Sequence, residues 1–162
     1  ILREDGKYEL YNREKHGLYK DGKRVSYISP ILKEYNELVD KVKKYILTFL
    51  HAKPIKITEV KRSEYHRRPG AYVFQKGDEI IYVGSTNDIY RRLRHDLLGG
   101  LGQERPPHMF GIRLKNEFEN AEEIRRYLKE LDLKIIETET QNEAKVLEQI
   151  LIYILKPKYN RS

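Results

Sequence analysis

Arg91, Arg92, Arg94 and His95 crowd five consecutive positions, and Lys61-Arg62-Ser63-Glu64-Tyr65-His66-Arg67-Arg68-Pro69 forms a second basic run upstream. Cationic side chains interleaved with Tyr and His suit the phosphates and bases of a nucleic acid. The upstream run reads either as a DNA-contacting loop or as a charged linker. Between the two runs lie two short apolar segments, Ala71-Tyr72-Val73-Phe74 and Ile80-Ile81-Tyr82-Val83, each with a tyrosine. One more acidic group with room to do chemistry, Glu148, lies far downstream beside Leu147 and three residues before Leu151, at the edge of an apolar helical stripe.

The elements that must position these groups are legible. Aromatic and β-branched runs around Lys76-Gly77-Asp78 predict a β-hairpin. Tyr72 and Tyr82 fall at even spacing within their strands, so both phenols can face one side. Gly84 ends the second strand. Ser85, Thr86, Asn87 and Asp88 follow, all residue types that cap helices, and the basic helix comes next. Gly99, Gly100 and Gly102 with Pro106 and Pro107 predict a loop. Met109 to Phe118 fits a strand by Phe110, Ile112 and Leu114, or a helix by Phe110, Leu114 and Phe118. A helix is expected over Glu119 to Leu131 and a strand over Lys134 to Glu139. Thr140 with Glu143 forms a capping box for a last helix with Ala144, Leu147, Ile150, Leu151, Ile154 and Leu155 on its apolar face. Pro157 ends it.

The first third is organised differently. Asp5-Gly6 and Asp21-Gly22 sit between strand-like residues and predict a small antiparallel meander. Its four tyrosines fit either the half-buried face of a sheet or stacking on bases. Ser29-Pro30 opens a helix to about Leu50, with Ile31, Tyr35, Leu38, Val39, Val42, Tyr45, Ile46 and Phe49 in one stripe. That stripe needs a partner: the meander, the rest of the chain, or a second copy in a homodimer. Lys41, Lys43 and Lys44 lie off it and read as a solvated face. Ile55, Ile57 and Val60 alternate as in a short strand.

The 162 residues carry a formal net charge of +7 and a pI near 9.4, a balance that favours a polyanionic partner. Residues 1–62 hold 15 Lys/Arg against 9 Asp/Glu, and residues 63–162 hold 17 against 16. Much of any non-specific attraction to DNA is therefore expected from the first third. There is no run of about 18 apolar residues, so no membrane partner is expected, and no signal-peptide pattern opens the chain. Cysteine is absent, which removes disulfides and thiolate metal sites. A cytoplasmic or nucleoid-associated protein is the default expectation. The first residue is Ile, which fits a trimmed start or a piece of something longer.

Five landmarks in order resemble the GIY-YIG nuclease family over about residues 64 to 160. They are Gly70-Ala71-Tyr72, then Tyr82-Val83-Gly84, then Arg92 ten residues after Tyr82, then Glu148, then the Lys156-Pro157-Lys158-Tyr159-Asn160 ending. The resemblance implies an α/β (α+β) domain over 63–162, a small, mainly antiparallel sheet flanked by helices, behind a basic meander-plus-helix extension over 1–62. It implies metal-dependent hydrolysis of DNA phosphodiesters. Tyr72 would be the general base, Tyr82 would position water or phosphate, and Arg92 would hold the scissile phosphate. Glu148 would be the one protein ligand of Mg2+, with Mn2+ as a substitute. Gly84, Ser85, Arg91, Asn160, Arg67 and Arg68 are the expected substrate contacts. The chain departs from the family pattern at Ser85, where many members have Lys, and at Asp96, where many have Tyr or His. Either His95 beside it takes that place as a catalytic residue, or Asp96 itself binds metal-bound water. These departures also motivate an alternative, a DNA-binding module with impaired catalysis. Within the enzyme class, the order of parts resembles a restriction-type or stand-alone nuclease, with a structure-specific repair or recombination nuclease as the other reading.

Overall fold

The computed structural model describes Tyr19–Lys20, Lys23–Arg24 and residues 28–160, with side chains described from residue 31. The contacts divide the chain into two units, residues 1–41 and 42–162, whereas the sequence reading divides it at 62/63. In the first unit, β1 (Tyr19–Lys20) pairs antiparallel with β2 (Lys23–Arg24), Tyr19 opposite Arg24. This is the hairpin expected around Asp21-Gly22. The hairpin expected at Asp5-Gly6 lies outside the described residues. Helix α1 (Ile28–His51) begins near the predicted Ser-Pro start. Val42 and Phe49 of its stripe are buried, while Ile31 and Tyr35 are exposed.

Residues 42–162 form an α+β fold around a three-stranded antiparallel sheet in the order β4-β3-β5. β3 (Gly70–Lys76) is central, flanked by β4 (Glu79–Thr86) and β5 (Asp132–Glu137). The β3–β4 turn is the predicted one, and Gly77 takes the positive φ (59°) that a glycine adopts at little cost. Ile55 makes a single bridge to Leu133, and Ile57–Glu59 is a 3-10 turn instead of the expected strand. Ile57 and Val60 are nonetheless buried in the core, so burial and not sheet pairing produced their alternation. A short helix α2 (Arg62–Tyr65) leads into β3.

After β4 the chain enters the basic helix, wound with wide π-type turns over Arg91–Gly99. The ambiguous segment resolves as helix α3 (Met109–Lys115), which buries Phe110 and Leu114. Helix α4 (Ala121–Glu130) starts at Asn120, whose side chain accepts the Glu123 N–H at 2.9 Å. Helix α5 (Gln141–Leu155) starts with the predicted capping box of Thr140 and Glu143. It packs Ala144, Leu147 and Leu151 on β3 and β4. Lys156, left-handed at φ 50°, closes α5. The tail then covers the edge of β4: the N–H groups of Lys158 and Tyr159 donate to the carbonyls of Ile80 and Ile81, each at 3.0 Å. An edge strand left open would be a template for unwanted pairing. Among the described residues no helix is long and apolar enough to cross a membrane.

Candidate active site

The register of the hairpin sets the site. Tyr72 lies opposite Gly84, and Phe74 opposite Tyr82. The two phenols therefore share a face, ring centroids 6.4 Å apart. Tyr82 stacks on Phe110 of α3 at 4.5 Å and 2°. A Cβ at Gly84 would overlap the Tyr72 ring. The glycine is needed here for this close approach, since its φ is not positive.

The face opens into a cleft of about 420 Å3. Tyr72, Tyr82, Gly84 and Ser85 line it from the hairpin, Arg92 from the basic helix and Glu148 from α5. Asp88 anchors the start of the basic helix by accepting the Arg91 N–H at 3.0 Å, a cap that also suits the positive helix end. One turn further, Asp96 Oδ2 lies 3.5 Å from Arg92 Nη1 and 3.9 Å from Arg91 Nε. Asp96 thus orients the cleft arginine. On the opposite wall the Ser85 hydroxyl donates to Glu148 Oε2, which leaves Oε1 for another partner.

The sequence reading missed His108 and Arg105, which the loop before α3 brings to the rim. Gly100 lets that loop approach, because a Cβ there would strike Pro107. His108 Nε2 is 2.6 Å from Tyr72 Oη, and both side chains are buried. His108 Nδ1 accepts the Phe110 N–H at 3.0 Å, as the cap of α3. A neutral imidazole with Nδ1 accepting carries its proton on Nε2. Nε2–H therefore donates to Tyr72 Oη, and His108 cannot act as a base toward that hydroxyl. Nothing in the sequence links two residues 36 positions apart. The available signal was a local one, a polar residue with cap potential directly before the apolar run of α3.

Burial dominates the protonation states. It lowers His108 from 6.5 to about 3, with Arg92 adding to the effect, so the ring is neutral. Burial raises Tyr72 well above 10, Tyr82 adds to this, and Arg92 opposes it. Burial first, then the Glu148 charge, pushes Tyr82 up to about 12. Glu148 is also raised by burial, against the lowering effects of the Ser85 hydrogen bond and Arg92. Among the described residues no group of three or more His, Asp or Glu is placed to hold a metal. A cation here would take one carboxylate and fill its shell with water and substrate, a pattern that fits magnesium.

The cleft collects Tyr72, Tyr82, Gly84, Ser85, Arg92 and Glu148 from the sequence expectations. It does not include His95, Arg91, Arg67, Arg68 or Asn160. His95 departs from its expected place in the site: its ring lies edge-on to Tyr90 at 5.4 Å, in a separate hollow with Arg91. A one-residue step on a helix turns a side chain to another face, and His108 occupies the position beside Tyr72. Arg68 lies 3.9 Å from Glu137, and Arg67 sits exposed at φ 56°. Both amide atoms of Asn160 are engaged with Val83, Oδ1 accepting its N–H and Nδ2 donating to its C=O, each at 2.7 Å. Asn160 pins β4 through this pair of bonds, at one edge of the hairpin that carries the cleft tyrosines.

No family model matches the chain. Over 93 residues it is 31% identical to UvrABC system protein C of Fervidobacterium nodosum and 33% identical to that of Thermosipho africanus. These matches cover 57% of this chain and 13% of each relative's length. Among solved structures, the GIY-YIG N-terminal endonuclease domain of UvrC from Thermotoga maritima, bound to magnesium, is similar at 26% identity. That match covers 60% of this chain and 88% of the other, with a TM-score of 0.39.

Proposed function

We propose that residues 42–162 form a divalent-metal-dependent DNA endonuclease that hydrolyses phosphodiester bonds, with Mg2+ as cofactor and Mn2+ as a substitute. The observation that carries this reading is the convergence of Tyr72, Tyr82, Arg92 and Glu148 in one cleft, with His108 donating to Tyr72. The sequence relatives, UvrABC system proteins, favour a repair-type nuclease over a restriction-type one.

Each side chain has a task in this reading. Tyr72, as the phenolate left once its own proton has passed to solvent, takes a proton from the attacking water. Burial keeps it a phenol in the free protein, so base strength appears only when positive charge gathers around it. Arg92 already acts in that direction, and the Nε2–H of His108 stabilises the phenolate by hydrogen bonding. Arg92 also binds the scissile phosphate and the charge that builds on it, through a rigid fork of donors. Tyr82 orients the phosphate or the water. Glu148, held by Ser85, is the metal ligand. The metal, when bound, neutralises the phosphate and the departing oxygen.

The test is cleavage of supercoiled plasmid and of labelled duplex and branched DNA in magnesium or manganese, with and without chelator. Wild type should cut, and Glu148→Ala should lose cutting by more than about 100-fold while still binding DNA. Salt-sensitive binding with no cutting on any substrate would favour the binding-module alternative, with Asp96 the first residue to question.

A further inference from the structure

Arg92 lines the cleft, and Asp96 lines a second hollow of about 400 Å3 on the same helix. The Arg92–Asp96 pair is therefore the partition between the two spaces. Arg62, His66, Tyr90, Arg91 and His95 complete the hollow's main lining. Its two carboxylates face protein partners. Asp88 takes the Arg91 N–H on Oδ1 and stands 3.2 Å from His66 Nδ1 through Oδ2. Asp96 stands between the two arginines. The cations are not closed in the same way. Arg91's side chain is 69% exposed. The Arg62 side chain makes no hydrogen bond or ion pair among the described residues. His95 presents an exposed ring, backed by Tyr90.

A hollow whose acids are engaged and whose cations are open suits an anion, and a ring beside it suits a base. We propose that this hollow holds the phosphate next to the scissile one on the same DNA strand, between Arg62 and Arg91. The His95–Tyr90 pair packs against the attached nucleotide. This rests on the nuclease reading of the cleft. The two arginines that share Asp96 then contact successive phosphates, and the strand passes over the Arg92–Asp96 partition.

The test measures binding of a labelled duplex to the Glu148→Ala protein between about 50 and 200 mM salt, the range where phosphate contacts dominate affinity. Adding Arg62→Ala should weaken binding several-fold and flatten the log K against log salt slope by about 1, and Arg62→Lys should restore much of the slope. His95→Ala should weaken binding with little change of slope. Lys129→Ala, an exposed cation of α4, should change neither. An Arg62→Ala protein that behaves like Lys129→Ala overturns the proposal. Magnesium-dependent cleavage by wild type is measured alongside. Cleavage without an Arg62 effect overturns the hollow alone, whereas an Arg62 effect without cleavage overturns the enzyme reading and, with it, the place of this phosphate beside a scissile one. No DNA binding by the Glu148→Ala protein overturns both.

Discussion

The two sides of the basic helix are built on opposite principles. In the cleft, the polar groups are already bonded, Tyr72 to His108 as a buried pair and Ser85 to Glu148 as a half-buried one. In the hollow, the cations are exposed and Arg62 has no partner among the described residues. Low dielectric and fixed hydrogen bonds make a few groups strong and immobile. Exposed cations are individually weak and screened by salt, but they recruit a long anion. The difference separates residues expected to govern turnover from residues expected to govern affinity.

The sharpest break of that contrast is Tyr72→Phe. The ring and its packing remain, and only the hydroxyl is lost. Turnover should fall by about 10²–10⁴, the usual range for a positioned acid or base, while DNA affinity stays within a few-fold. A single-turnover cleavage assay beside a binding titration decides it. Equal losses in both would erase the distinction.

Gly84→Ala tests whether the cleft depends on close packing. The added methyl overlaps the Tyr72 ring, so either the ring or β4 must shift. Overpacking of this kind costs about 1–3 kcal/mol, visible as a lower denaturation midpoint together with a loss of turnover. The same exchange at Gly102, where Arg125 Nη2 at 3.5 Å is the one neighbour within reach, should be mild in both.

His108 gives the cleft a pH signature. Its value near 3 in the folded state lies below the 6.5 of the free side chain. Between those values the unfolded chain binds a proton that the folded chain does not. Stability from this group is therefore complete above about pH 6.5 and declines as pH falls toward 3. The decline is at most about 1.4 kcal/mol per pH unit. Urea unfolding at pH 7, 5.5 and 4 should show a shallower acid loss in His108→Gln than in wild type. Identical slopes would mean that the ring charges at little cost and is not sealed as the structure describes. The smallest effect should come from His95→Ala, which should change the cleavage rate at saturating DNA by less than about threefold, within the span of surface substitutions. A catalytic-size loss would return His95 to the site.

Much of this was local and therefore readable. The hairpin, its Gly77 turn, the Thr140 capping box and the apolar stripe of α5 follow from residue types within a few positions of one another. The grouping of Tyr72, Tyr82, Arg92 and Glu148 as one set came from the resemblance to the ordered landmarks of the GIY-YIG family. Alternation at Ile55, Ile57 and Val60 misled, because core burial and strand pairing write the same pattern over so short a stretch. His95 misled because one residue of helix turns a side chain to another space.

The order of elements and the chemistry of the candidate residues were determined by the sequence alone, since strands, turns and caps answer to near neighbours. The tertiary structure alone decided which polar atoms meet: Tyr72 with His108, Ser85 with Glu148 across 63 positions, and Val83 with Asn160 across 77. It also decided why position 84 must be glycine, because the Tyr72 ring arrives there from another strand. Hydrogen-bond partners and steric limits depend on distances through space, which a linear order of residues does not contain.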